Sequence, residues 1–251
     1  MNQEKTDKIQ TCSSRLAGRS IKVVGLGGIG TPVAQAVAQF LAYGDIRSTL
    51  FLIDGDTFEE KNRERVLFRS GGNKAISKAA ELSETCGDRL TIIPVPRYVT
   101  PGNVRRLVEE CDIVLLAVDN HASRRCLSNR CSKLKNAVLI SGGNDGIEKD
   151  KDGTFGNVIV FVREGGRNLT SALTRFHPEI ATPPDKRPDQ VGCAALAHSS
   201  PQLLFTNLAV AAAMLGAFYA YANGMLKYEE IFLDIVQAKV TPIQRGILSG
   251  R

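Results

Sequence analysis

Short, wholly aliphatic runs alternate with segments of helical period along most of this chain. Ile21, Val23, Val24 and Leu26 form a run of the kind a buried parallel strand carries. Pro32 suits a first helical turn, and Val33, Ala34, Val37, Phe40 and Leu41 keep a helical period up to Gly44. Leu50 to Ile53 repeat the strand pattern. A polar, charge-dense segment follows and becomes a helix from about Lys74. Leu90 to Val95 predict a third strand, Asn103 to Glu110 a short helix, and Ile113 to Val118 a fourth strand ahead of the helix HASRRCLSNRCSK. Ala137 to Ser141 and Asn157 to Val162 predict two further strands that arrive close together, a spacing that suits antiparallel pairing. Periodicity fails from Arg163 to about Ser200, where prolines recur. A long, buried, alanine-rich helix is expected from Leu203 to Leu226, and one last strand from Ile231 to Val240. The alternation predicts an α/β fold: a doubly wound, mostly parallel sheet with helices on both faces and late antiparallel strands. Residues 1–18 read as an N-terminal arm. Residues 19–251 read as a single domain whose loop at about 163–200 is too long to be a plain connection.

Composition narrows the class without naming it. A hydrophobic share of 43% with 23% charged residues is that of an ordinary soluble globular chain. The most apolar stretch, Leu203 to Tyr221, is interrupted by Thr206 and Asn207, and no membrane association is expected. The first fifteen residues lack the apolar centre of a signal peptide, so the expected location is cytoplasmic. The net charge of +6 is spread along the chain instead of gathered in a tract, so nothing in it calls for nucleic acid. Six cysteines, at 12, 86, 111, 126, 131 and 193, include no CxxC pair, which argues against both a disulfide framework and a metal site.

Candidate chemistry starts at the first strand. Gly25, Gly27, Gly28 and Gly30 follow it directly and open a helix, the Rossmann-like arrangement in which backbone amides and the helix dipole receive a phosphate. Asp54, at the carboxyl end of the second strand, stands where a ribose hydroxyl would lie, with Asp56 beside it. Asn62, Arg65 and Lys74 either fold back over those phosphates or belong to a solvated face. Asp119 and Asn120 end the fourth strand beside the glycine turn. There Asp119 could hold a phosphate-bound Mg²⁺ or cap the next helix. At this level NAD, FAD and ATP all remain open.

The series GxGGxG, DxD, N-x-x-R, G-x-x-K and a strand ending in D-N, with Arg124 soon after, resembles the ThiF and MoeB type adenylyltransferases, relatives of the ubiquitin-activating enzymes. The resemblance runs from about Ser20 to Gly224 and is far more specific than the glycines alone. It implies ATP and Mg²⁺ as cofactors, Asp54 on the ribose, and Asn62, Arg65 and Lys74 on the phosphates. Lys78 competes with Lys74 for that role, and Asp119 serves the metal. It further implies a homodimer and a ubiquitin-like or sulfur-carrier protein ending in Gly-Gly as acceptor, with Cys193 placed where some members carry a nucleophile or sulfur acceptor. Since the CxxC pairs that hold zinc in many members are missing, no zinc is expected. The chain also differs at Val66 and Leu196, where the family commonly has glutamine and glycine, and its proline-rich loop resembles stand-alone ThiF-type proteins of bacterial mobile gene systems. Two other readings stand beside it: an NAD-dependent oxidoreductase, and a non-catalytic nucleotide-binding partner of a larger assembly.

Overall fold

The computed structural model describes residues 15–44, 46–60, 63–64, 66–190 and 201–244. Its main sheet contains strands β1 (Ser20–Val24), β2 (Thr49–Ile53), β3 (Thr91–Val95), β4 (Ile113–Leu116), β5 (Ala137–Asn144), β6 (Phe155–Glu164), β7 (Glu230–Asp234) and β8 (Lys239–Ile243). The strand order is β8-β7-β6-β5-β4-β1-β2-β3, with the two-residue strand Arg167–Asn168 paired beside β6. Pairing is parallel from β3 through β5 and antiparallel among β5, β6, β7 and β8.

Among the described residues it is accompanied by the helices α1 (Gly30–Tyr43), α2 (Lys74–Cys86), α3 (Val104–Leu107), α4 (His121–Cys131), α5 (Pro178–Ala181) and α6 (Leu204–Ala222). The sheet buries a separate core on each face, because residues alternate sides along every strand. Ile21 and Val23 pack with α1, α2 and α6 through Val33, Val37, Leu82, Val210 and Met214. Val24 and Leu116 pack on the opposite side with Val104 of α3, Leu127 and Cys131 of α4, and Ile180 of α5.

The last expected strand is two strands. Asp234 ends β7 and accepts hydrogen bonds from the backbone amides of Val236 and Gln237, and Ala238 takes a φ of 49°, so the chain reverses and returns as β8. The expected burial of α6 holds for one face only. Thr206, Asn207, Val210 and Met214 are buried, whereas Phe205 (71% exposed), Leu208 and Tyr219 face outward.

One buried ion pair sits at the far end of the strands. Lys22 and Asp112 meet at 2.6 Å, with the lysine also donating to the Leu107 carbonyl and lying over the Phe51 ring. Burial pushes the Asp112 carboxyl pKa up, against the Glu109 amide and Lys22, which pull it down. Lys22→Met would strand that carboxylate, and a loss of about 3–5 kcal/mol in denaturant unfolding is expected. The unpaired carboxyl would be relieved by protonation, so the deficit should shrink as the pH is lowered through its raised pKa and persist above it.

Candidate active site

Parallel strands run β3-β2-β1-β4-β5, so the connections change direction between β1 and β4, and a cleft of about 560 Å³ opens beyond the carboxyl ends of the strands at that point. Its first wall is the glycine turn. Gly25 has φ +86°, and a Cβ there would lie 2.7 Å from the Ala117 carbonyl oxygen. A Cβ on Gly30 would lie 1.7 Å from the Gly25 carbonyl oxygen, so the turn closes only because both are glycine. Thr31 fastens it from within, its hydroxyl donating to the Leu26 carbonyl at 3.0 Å. Among the described residues no side chain caps the N-terminus of α1, which leaves its first amides and its dipole directed at the cleft. An anion-binding cradle of this form fits a nucleotide phosphate.

Asp54 forms the second wall. Its carboxylate accepts from the Leu26 amide at 2.6 Å and the Asp56 amide at 2.8 Å, which ties β2 to the glycine turn. Burial is the largest influence on this carboxyl and raises its pKa to about 6; Lys74 acts in the opposite sense. Gly55 must be glycine, since a Cβ would enter the Tyr98 ring at 2.6 Å. Tyr98 in turn donates its hydroxyl to Asp56. Asn73 caps α2, accepting from the amides of Ala75 and Ile76 while donating to the carbonyls of Asp54 and Asp56, so it fixes the helix to the acidic pair. Lys74, the next residue, lines the cleft with its ammonium 3.0 Å from Asp56. Lys78 is turned away: it is buried over the Phe68 ring and bonded to Glu81 and the Leu67 carbonyl.

Asp119 is exposed in the cleft at the end of β4. Asn120 also lines the cleft and caps α4, accepting from the Ser123 amide at 2.8 Å. Arg124 is buried at the cleft lining; its guanidinium donates to the Ser141 hydroxyl and to the carbonyls of Val118 and Gly142. Desolvation lowers its pKa to about 10, opposed by Asp119, Asp185 and Glu179, and it stays cationic at neutral pH. Asp185, from the proline-rich segment, accepts from the amides of His121 and Ala122 at 2.7 and 2.9 Å and so closes the N-terminus of α4.

Asn62, Arg65 and Cys193 lie outside the described residues, as does nearly all of the N-terminal arm. The remaining sequence candidates, Gly25, Gly27, Gly28, Asp54, Asp56, Lys74, Asp119 and Asn120, line this one cleft, with Gly30 shaping the turn behind it. Sequence reasoning missed Arg97 and Tyr98, although both follow a predicted parallel strand at its carboxyl end, the edge where ligands gather. It also missed His177, Glu179 and Asp185, which no local motif marks.

A family model, that of the ThiF family, matches residues 8–231. The chain belongs to the ThiF family. This ThiF-family chain is also similar to the adenylyltransferase and sulfurtransferase MOCS3 of Dictyostelium discoideum, 35% identical over 130 residues that make up 51% of this chain and 29% of that protein. Against MOCS3-1 of Zea mays it is 34% identical over 137 residues, 53% of this chain and 28% of the relative. The match therefore spans less than a third of either relative's length. Its fold is shared with E. coli MccB, solved with succinimide (TM-score 0.67, 15% identity, 93% of this chain and 66% of that one), and with PaaA (TM-score 0.63, 17% identity, 96% and 73%).

Proposed function

We propose that this ThiF-family chain is an ATP- and Mg²⁺-dependent adenylyltransferase. Its acceptor would be the C-terminal glycine carboxylate of a ubiquitin-like or sulfur-carrier protein ending in Gly-Gly. The observation that carries the reading is the convergence of the glycine turn, Asp54, Lys74 and Asp119 on one cleft at the switch point of the sheet. The acceptor carboxylate attacks the α-phosphorus of ATP, the bond to the β-phosphate breaks, and pyrophosphate leaves with the electron pair. Such a step needs in-line placement and compensation of charge more than proton transfer. The amides of the turn hold phosphate oxygens, and Lys74 moves from Asp56 to the leaving phosphates. Asp119 would hold Mg²⁺, which would offset the charge of the phosphates as the pyrophosphate leaves. Arg65 and Asn62 complete the phosphate contacts by resemblance. Thioester formation or sulfur transfer at Cys193 would follow the adenylate.

Isothermal titration with ATP–Mg²⁺ and with NAD tests the assignment. Binding of ATP with no heat from NAD is the expected result, and the reverse would return the chain to the oxidoreductases. Asp54 supplies a second check. Its folded pKa, about 6, lies above the ordinary carboxyl value, so it is ionised at neutral pH and protonated below. As an acceptor for ribose hydroxyls it is lost on protonation, and ATP affinity should fall as the pH drops through 6 while Asp54→Asn shows the weakened affinity at every pH.

A homodimer is part of the proposal. The outward face of α6 offers Phe205, Leu208 and Tyr219, an apolar stripe at helical spacing of the kind that a second copy covers. Light scattering of the wild type at micromolar concentration is expected to give a dimer and Phe205→Asp a monomer; a wild-type monomer would contradict it.

A further inference from the structure

The nucleotide residues occupy only part of the cleft. Beyond Asp119 it continues over the antiparallel strands, floored by Asn157 and Ile159 and walled by His177, Glu179 and Ile180 of the proline-rich segment. Three titratable groups form a chain across this wall. Glu230 on β7 is fully buried, and its carboxylate stands 2.7 Å from His177 Nε2. His177 Nδ1 meets Glu179 Oε1 at 2.8 Å. Burial pushes the imidazole pKa down, but the two carboxylates outweigh it and hold it above its ordinary value, which favours the cation between them. The outer member, Glu179, keeps a side chain 43% exposed at the cleft wall.

A surface helix needs none of this. An acid in the first turn of the four-residue helix α5 could serve its dipole alone, but a second, wholly buried acid behind the histidine contributes nothing to that and is costly to desolvate. The arrangement fixes one carboxylate in place.

The sign of a ligand here follows from the charges. The triad sets two carboxylates, Glu179 and Glu230, against one imidazolium, His177, so its own charge is negative, while the cleft lining around it carries Asp145 as well as Arg124 and Lys151. A carboxylate can only accept hydrogen bonds. Resting on the adenylation reading above, we propose that Glu179, positioned by His177 and Glu230, is the acceptor-recognition group of this cleft, and that it selects a tail with a cationic side chain close to the carboxylate that is adenylated. Glu179 touches the acceptor. His177 and Glu230 act through it.

Pyrophosphate release by the full-length protein with three synthetic peptides ending in Gly-Gly, preceded by Arg, Gln or Glu, tests this, with ATP binding measured separately by calorimetry. The Arg tail is expected to show a KM roughly tenfold or more below that of the Gln tail, the scale of one charged hydrogen bond. Glu179→Gln should erase the difference while leaving the KM for ATP unchanged, Glu179→Lys should favour the Glu tail, and His177→Gln should raise the KM for the Arg tail at constant kcat. Equal use of the three tails by the wild type, or a preference that survives Glu179→Gln, would overturn the proposal. So would ATP binding with no turnover of any tail. Failure to bind ATP would instead overturn the nucleotide reading beneath it.

Discussion

Gly30→Ala is expected to abolish nucleotide binding and to destabilise the fold. The added methyl would lie 1.7 Å from the Gly25 carbonyl oxygen and 2.8 Å from its carbon, and backbone atoms cannot swing aside as a flexible side chain does. Gly25 cannot move to make room, because its own amide donates to the Ile53 carbonyl and its Cα lies against Ala117. The strain of such overpacking is about 1–3 kcal/mol or more. Relieving it means displacing the turn whose amides form the cradle. Gly27 provides the contrast, since a Cβ there meets none of the described residues within 4 Å. Gly27→Ala should keep its melting temperature and report only on how closely a phosphate approaches. Thermal melts and ATP titrations of both variants separate the two effects; a Gly30→Ala protein that binds ATP normally would refute the turn geometry.

Asp119→Ala should remove Mg²⁺-dependent turnover, by on the order of a hundredfold or more, while the melting temperature stays at the wild-type value. Asp119 is exposed at the end of β4, so no core packing depends on it, and the capping of α4 rests on Asn120 and Asp185. Its removal would also leave Arg124 with one fewer opposing charge. Arg124 keeps its three hydrogen bonds, so the wall should stand. Unchanged turnover in this variant would sink the metal assignment; a collapsed fold would show that Asp119 has a structural role instead.

The parallel half of the fold was legible because each buried strand is a run of aliphatic residues and each following helix keeps its period. The end of the chain was less so. IFLDIVQAKV alternates like a single strand and contains no Asn-Gly or Asp-Gly pair, yet Asp234 and the left-handed Ala238 turn it into a hairpin. In α6 the alanines and aliphatics surround the whole helix, so composition could not tell the face on the sheet from the face left outside. The site divides in the same way. Glycines, acids at strand ends and Lys74 are local signals, whereas His177 and Glu230 lie 53 positions apart and meet only through the folded sheet. A glutamate opening an apolar strand reads as solvated, yet Glu230 is fully buried with His177 2.7 Å from its carboxylate.

ATP–pyrophosphate exchange tests the central claim most directly. The purified chain would be assayed with ubiquitin-like and sulfur-carrier proteins ending in Gly-Gly. Exchange that depends on one of these carriers and disappears in Asp119→Ala is the predicted result. The absence of exchange with every carrier, alongside tight binding of NAD in the same cleft, would contradict it.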